Sequence, residues 1–234
     1  MERHFEQELE KLNKRLTKMG NLVASQVHQT MNALIECNTE LARQIIDNDN
    51  LVDDLDVKID KLCQRIFALT QPVATDLRLI MSSLKINNDL ERMGDHAVGI
   101  AKKIEGLSDY KDILKDLNVD ELAAATDLIV RDVTNILNSR NIVFVKDIFE
   151  ASFSIKEKVH TVSSRILEAM TQKTDVIVVA TNLIMILSQI ERIADYSTNI
   201  AESIVFLVEG RIIKHSRRPV ELDSDSGVNL ISEE

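Results

Sequence analysis

The sequence is poor in turn-makers. Its 234 residues include six glycines and two prolines, well below the roughly 7% Gly and 5% Pro of an average chain. So few reversals disfavour a sandwich or barrel of short strands and favour long helices. Tryptophan is absent and aromatics make up 3% of the chain, which leaves little for a base-stacking platform. Positive charge is also short: 28 Lys and Arg stand against 38 Asp and Glu, for a net charge of -10 and a pI near 5.1. A duplex-binding protein clusters Lys and Arg to displace counterions from phosphates. This balance therefore argues against nucleic-acid binding and allows cation binding or docking on a basic partner. The two cysteines, Cys37 and Cys63, cannot form a disulfide framework and have no CxxC zinc spacing. They read as reduced, helix-packed thiols. The opening Met1–Phe5 lacks the apolar segment of a signal peptide. The longest nearly apolar run, Val176–Leu187, is broken by Thr181 and Asn182 and falls short of the about 20 residues of a membrane span. The expectation is a cytoplasmic protein with no membrane span.

What is present is amphipathic helix. Hydrophobic residues are 44% of the chain and charged residues 28%, enough for a core beneath long solvated faces. Phe5, Leu9, Leu12, Leu16, Met19, Val23, Val27, Met31 and Leu34 recur at steps of three and four, which predicts a first helix. Asn38 and Thr39 offer an N-cap to a second, whose stripe runs from Leu41 to Leu69 and which Pro72 stops near Thr70. Thr75 and Asp76 can cap a third, with Gly106 as its stop. Residues 107–119 read as a connector with a short turn. A fourth helix is expected from about 118 to Leu137, a turn over 138–141, a fifth helix over 142–171, and a sixth capped by Thr174 and Asp175 and running to about His215. The tail from Ser216, with Pro219 and an Asp/Ser/Gly cluster, reads as mobile.

The halves are related. Leu90–Ile104 and Ile190–Ile204 share Glu, Arg, Asp, Ile, Ala and Ile at an offset of 100, and Arg65-Ile66 matches Arg165-Ile166 at the same offset. The period exceeds that of solenoid units, so the pattern predicts a duplicated domain. The fold class is all-α: two tandem, pseudo-repeated three-helix bundles of six long helices, over residues 1–107 and 118–215, with a tail over 216–234.

The repeat also duplicates an acidic pair. Glu91 and Asp95, and again Glu191 and Asp195, are four apart, which places both carboxylates on one helix face about 5–6 Å apart at Cβ. Like charges at that spacing destabilise a helix, so something offsets the cost in both halves. A multivalent cation is one candidate, since hard cations prefer carboxylate oxygens; Arg92 and Arg192 are another. Gly94, matched by Ala194, keeps the surface beside the pair open. On the second helix Asp49, Asp53, Asp56 and Asp60 form a row at three- and four-residue steps. If Asp56 and Asp60 face Glu91 and Asp95, four carboxylates converge, which calls for cations or raised pKa values. In the second half the offset maps Asp56 to Lys156 and Asp60 to His160, with Glu157 adjacent. A second site would be poorer in acids and would turn to His160, a transition-metal ligand. The same residues also fit a plainer account, in which Asp49, Asp53 and His160 are ordinary solvated side chains and His96 and Tyr196 pack or face water. No GxxxxGK[ST] loop, GxSxG elbow or Glu-x-x-His pair is found, which argues against nucleotide, hydrolase and di-iron oxidase chemistry.

Glu91-Arg92-Met93-Gly94-Asp95 and Glu191-Arg192-Ile193-Ala194-Asp195 resemble the paired E-x-x-x-D motifs of the PhoU family. Gln71–Arg78, leading into the first motif, and Asp56–Asp60 on the preceding helix are similar to that family as well. The resemblance covers about residues 1–215 and is more specific in the first half. It implies two three-helix bundles with iron or zinc clusters bound on their surfaces. It further implies a non-enzymatic negative regulator that acts with a phosphate ABC transporter ATPase and a sensor histidine kinase, as a homodimer or larger homo-oligomer. The implied metal residues are Glu91, Asp95, Asp56 and Asp60, with Glu191, Asp195, His160 and Glu157 in the second half, where Lys156 departs from the pattern. No basic anion pocket is evident, so phosphate sensing is expected of the partners. The alternatives are a metal-storage or redox protein and a metal-free helical scaffold.

Overall fold

The structure, a computed structural model, describes residues 2–69, 72–172 and 176–213. It contains α1 (Glu2–Glu36), α2 (Thr39–Asp47), α3 (Asn50–Leu69), α4 (Ala74–Ile104), α5 (Lys111–Asp116), α6 (Val119–Ser139), α7 (Val145–Gln172) and α8 (Ile177–Glu209), with no strand among the described residues. The fold class is all-α, as the composition and periodicity indicate.

The first stripe is a core stripe: Leu12, Leu16, Met19, Val23, Val27, Met31 and Leu34 are each at most 1% exposed. Cys37 takes a left-handed φ of +52° and ends α1. The Asn38 N–H then reaches back to the Ala33 carbonyl at 2.9 Å, the long bond of a Schellman turn. Asn38 also caps α2, its side chain accepting from the Leu41 N–H at 3.0 Å.

Four boundaries differ from expectation. The second helix is broken at Asn48 and Asp49 into α2 and α3, where the Asp49 N–H turns to the Ile46 carbonyl at 3.4 Å and the Leu51 N–H to the Asn48 carbonyl at 3.1 Å, while the apolar stripe runs on across the break. The third helix starts earlier than Thr75 and Asp76: the cap position is Val73, which makes no side-chain bond, and Asp76 sits in the first turn, where a carboxylate favours the helix dipole. Gly106 is not the stop of α4; it lies in a 3-10 turn over Glu105–Tyr110. An added Cβ there would come within 2.8 Å of Asn182 Nδ2, so its smallness serves helix contact. Finally, α8 ends at Glu209, where Gly210 takes φ +73°, and not near His215. Thr70, Thr174, Asp175, His215 and the tail over 216–234 lie outside the described residues.

α1, α2, α3 and α4 pack as one bundle and α6, α7 and α8 as a second; α1 also packs on α6, and α4 on α8. Both cross-bundle pairs run antiparallel. Gly20 meets Leu137 while His28 meets Asp127, and Gly99 meets Gln189 while Gly106 meets Asn182. His96 stacks on Tyr196, its own counterpart in the repeat, with ring centroids 5.5 Å apart. A pseudo-twofold axis therefore passes between them. α8 is long and apolar enough to cross a membrane by length and composition, a longer segment than Val176–Leu187 suggested. One face of it, including Val179, Leu183, Ile186, Ile190, Ile193 and Ile200, is buried, which is how a core helix between two bundles reads, while Ile177, Val178, Met185 and Val208 are exposed.

Candidate metal centre

The site grows from the antiparallel packing of α3 on α4 in the first bundle. On α3, Val52, Leu55, Ile59 and Leu62 turn into the core, so Asp53, Asp56 and Asp60 fall along the flank that borders α4. On α4, the burial of Leu90, Met93 and Ala97 brings Glu91 and Asp95 to the same border. The charges respond to one another. Partial burial, then Asp49, Asp95 and Asp54, push the Asp53 carboxyl above the usual carboxylate range. Burial, then Asp60 and Asp53, raise Asp56 against an opposing hydrogen bond from Asn87. Burial, then Asp95, Asp56 and Asp53, raise Glu91, with Arg92 opposing. Carboxylates from two helices thus share one electrostatic environment.

The expected four residues are placed at this border, with Asp56 and Asp60 tied to α4 through one side chain. Asn87 Nδ2 donates to Asp56 Oδ1 at 2.7 Å and to Asp60 Oδ1 at 3.2 Å. Asp53 and Asp49, readable as solvated from sequence, belong here too. Gln26 Nε2 on α1 donates to Asp49 Oδ1 at 2.9 Å. A Cβ on Gly94 would lie 3.1 Å from Gln26 Oε1 and 3.9 Å from Asp49 Oδ1, so the glycine leaves α1 and α4 room to approach beside the acids. Among the described residues no three His, Cys, Asp or Glu side chains already stand as a metal-ligating group. The donor chemistry fits a hard cation all the same: the acids and amides at the border offer only oxygen ligands, and one cation, Arg92, stands beside them with its Nε 3.7 Å from Glu91 Oε2.

The second bundle is built differently. Lys156 Nζ lies 2.5 Å from Asp195 Oδ1, and Arg192 Nη1 is 3.8 Å from Asp195 Oδ2. The ammonium stands on Asp195 where the repeat has Asp56. Glu157 and His160 are exposed on α7, and the structure does not bring them to Glu191 or Asp195. Ser152 Oγ donates to the Ala194 carbonyl at 3.4 Å, so the position matching Gly94 is closed by close helix contact.

The repeat seen in the geometry is matched by comparison with known proteins. A family model described as the PhoU domain matches residues 16–104 and again residues 119–204. The chain belongs to the PhoU family. A PhoU relative from Clostridium acetobutylicum, a phosphate-specific transport system accessory protein PhoU homolog, is 31% identical over 210 residues, 88% of this chain and 95% of that protein. A homologue of the same description from Pseudomonas aeruginosa is 30% identical and covers 95% of this chain and 94% of that protein. The crystal structure of PhoU from Pseudomonas aeruginosa superposes with a TM-score of 0.82 at 30% identity, covering 88% of this chain and all of that one. The phosphate transport system regulatory protein PhoU from Streptococcus pneumoniae gives 0.80 at 28% identity, covering 89% of this chain and 99% of that one. In this PhoU chain, then, the two domains share a fold but not a charge pattern at the α3–α4 and α7–α8 borders. The residues that sequence reasoning missed are Asn87 and Gln26. A signal existed for Asn87: its repeat counterpart is Leu187, so an amide occupies a position its duplicate gives to the core.

Proposed function

We propose that this chain is a non-catalytic, cytoplasmic regulator of phosphate uptake and of phosphate-starvation signalling. It docks on a phosphate transporter ATPase and a sensor histidine kinase and restrains both when phosphate is plentiful. Its relatives are accessory proteins of phosphate-specific transport over nearly their whole length, which supports the transport role. The observation that carries the site is the meeting of acids from α3 and α4, where Asn87 Nδ2 bridges Asp56 Oδ1 and Asp60 Oδ1 at 2.7 and 3.2 Å and where burial, then neighbouring carboxylates, raise Asp53, Asp56 and Glu91. Carboxylates gathered at a cost to their own ionisation suit a cation that removes the cost. Asp53, Asp56, Glu91 and Asp95 would hold it, with Asp49 and Asp60 alongside. An all-oxygen set suits iron or manganese better than zinc, whose closed sites favour Cys and His. Bound there, the cation neutralises the border and joins α3 to α4. The second bundle does the same with Lys156. Metal thus sets the shape and charge of one face only, and that face carries the metal dependence of docking.

The test is affinity for the purified transporter ATPase, measured for the wild type and for Glu91→Gln/Asp95→Asn, each with Mn2+ and with EDTA. Metal-loaded wild type is expected to bind at least ~10-fold tighter than the other three. Equal affinity in all four would overturn the coupling.

A further inference from the structure

The acidic border of the first bundle contains two amides that face it the same way. Asn87, on α4, is fully buried. Its Nδ2 serves Asp56 Oδ1, Asp60 Oδ1 and the Asp56 carbonyl at 2.7, 3.2 and 3.3 Å. Gln26, on α1, is 8% exposed and gives its Nε2 to Asp49 Oδ1 at 2.9 Å. The other end of each amide is an orphan: Asn87 Oδ1 and Gln26 Oε1 are buried without any hydrogen-bond partner. Buried carbonyl oxygens are nearly always satisfied, and two unsatisfied ones from different helices at one acidic cluster need a cause.

An amide has a donor end and an acceptor end, and a half-turn about its last side-chain bond exchanges them. Facing bare carboxylates, only the NH2 end is attractive. Facing carboxylates that hold a hard cation, the C=O end becomes the attractive one, since Asn and Gln carbonyls are ordinary ligands of such ions. The second bundle supplies the contrast. Its counterparts are Leu187 for Asn87 and, at the offset of 103 by which α1 and α6 align, Ile129 for Gln26, both buried, and there Lys156 already meets Asp195. Where an ammonium is built in, neither amide is present.

We infer that Asn87 and Gln26 are two-way amide switches of the cation site: their NH2 ends bridge the carboxylates when no cation is bound, and their carbonyl oxygens become neutral ligands when one is. This rests on the metal reading above. It adds that the site is not made of acids alone, and that the cation-free form has its own set of bonds to give up.

The experiment is calorimetric titration of Mn2+ into the EDTA-stripped full chain, beside thermal unfolding with and without Mn2+. The variants are Asn87→Leu, Asn87→Asp and Gln26→Leu. Leu is the residue the duplicate already packs at the matching position. Asn87→Leu and Gln26→Leu are each expected to bind Mn2+ at least ~10-fold more weakly than wild type. Asn87→Asp keeps the oxygen and loses the NH2 bridge. It is expected to unfold at lower temperature than wild type in EDTA, and to recover both affinity and melting temperature in Mn2+. If the wild type binds no Mn2+, the metal reading fails and this inference falls with it. If the wild type binds and both Leu variants bind equally well, the inference alone is overturned. An Asn87→Asp variant that binds no better than Asn87→Leu also overturns it. Should Asn87→Leu fail to fold, Gln26→Leu and Asn87→Asp decide by the same criteria.

Discussion

Replacing Lys156 by Asp should give the second bundle the carboxylate that Asp56 supplies in the first, though Phe153, His160 and Leu187 still stand where the first has Asp53, Asp60 and Asn87. The side chains of Lys156 and Asp195 are 41% and 31% exposed and meet at 2.5 Å, so their pair belongs near the upper end of the ~0.2–1 kcal/mol measured for exposed pairs. The substitution also sets a new carboxylate against Asp195, with Glu191 one turn away and Arg192 still 3.8 Å off. Like charges add a few tenths of a kcal/mol, for a total near ~1–1.5 kcal/mol. At about 2–4 °C per kcal/mol in a chain of this size, the melting temperature in EDTA should fall by roughly 2–6 °C. Added Mn2+ should return it, since a cation at 100 times its dissociation constant contributes about 2.7 kcal/mol. Calorimetry should show a second, weaker class of Mn2+ site that the wild type lacks, weaker because Leu187 stands where the first bundle has Asn87. Lys156→Met is the control: it loses the pair and gains no site. A Lys156→Asp protein that is no less stable in EDTA, or that binds no additional Mn2+, would refute the view that the ammonium stands in for a cation.

Asp53, Asp56 and Glu91 hold their protons more tightly in the folded chain than in the unfolded one. Their contribution to stability is complete below the ordinary carboxylate range near pH 4 and is lost as pH rises through the raised values. Urea unfolding in EDTA should show this loss, and Asp56→Asn should remove a few tenths of a kcal/mol of it; an unchanged pH profile in the variant would count against the cluster. Gly210→Ala forces a side chain into φ +73° beside the Arg78 guanidinium and should cost about 1–2 kcal/mol, read as a lower melting temperature. Burial pushes the Cys63 thiol up to about 12, so iodoacetamide at pH 8 should label the half-buried Cys37 first. Equal labelling of Cys63 in the native protein, read by mass spectrometry, would contradict its placement.

Much of the fold was legible because burial follows period. The α1 stripe could be written from steps of three and four, and Asn38 is a cap whose chemistry is local. The break at Asn48 and Asp49 was not, because an unbroken apolar stripe crosses it and only the geometry of the turn reveals two helices. The left-handed stop at Gly210 was missed because the apolar pattern of α8 continues past it to Ile212 and Ile213. At the site, the repeat exposed Glu91 and Asp95 and their counterparts, and the offset already placed Lys156 opposite the position of Asp56. What a sequence cannot display is which polar group fills a given space. Lys156 occupies Asp195 while His160, the more familiar ligand type, faces away into solvent. Asn87 and Gln26 were hidden for a related reason. A single amide in an amphipathic helix reads as surface until the packing shows it buried.

The central claim is that the α3–α4 border of the first bundle holds metal, and elemental analysis tests it most directly. The protein would be purified without chelator or metal-affinity tag, beside Glu91→Gln/Asp95→Asn. The account predicts stoichiometric iron or manganese in the wild type and its loss in the variant. A metal-free wild type, or equal metal in both, would contradict it.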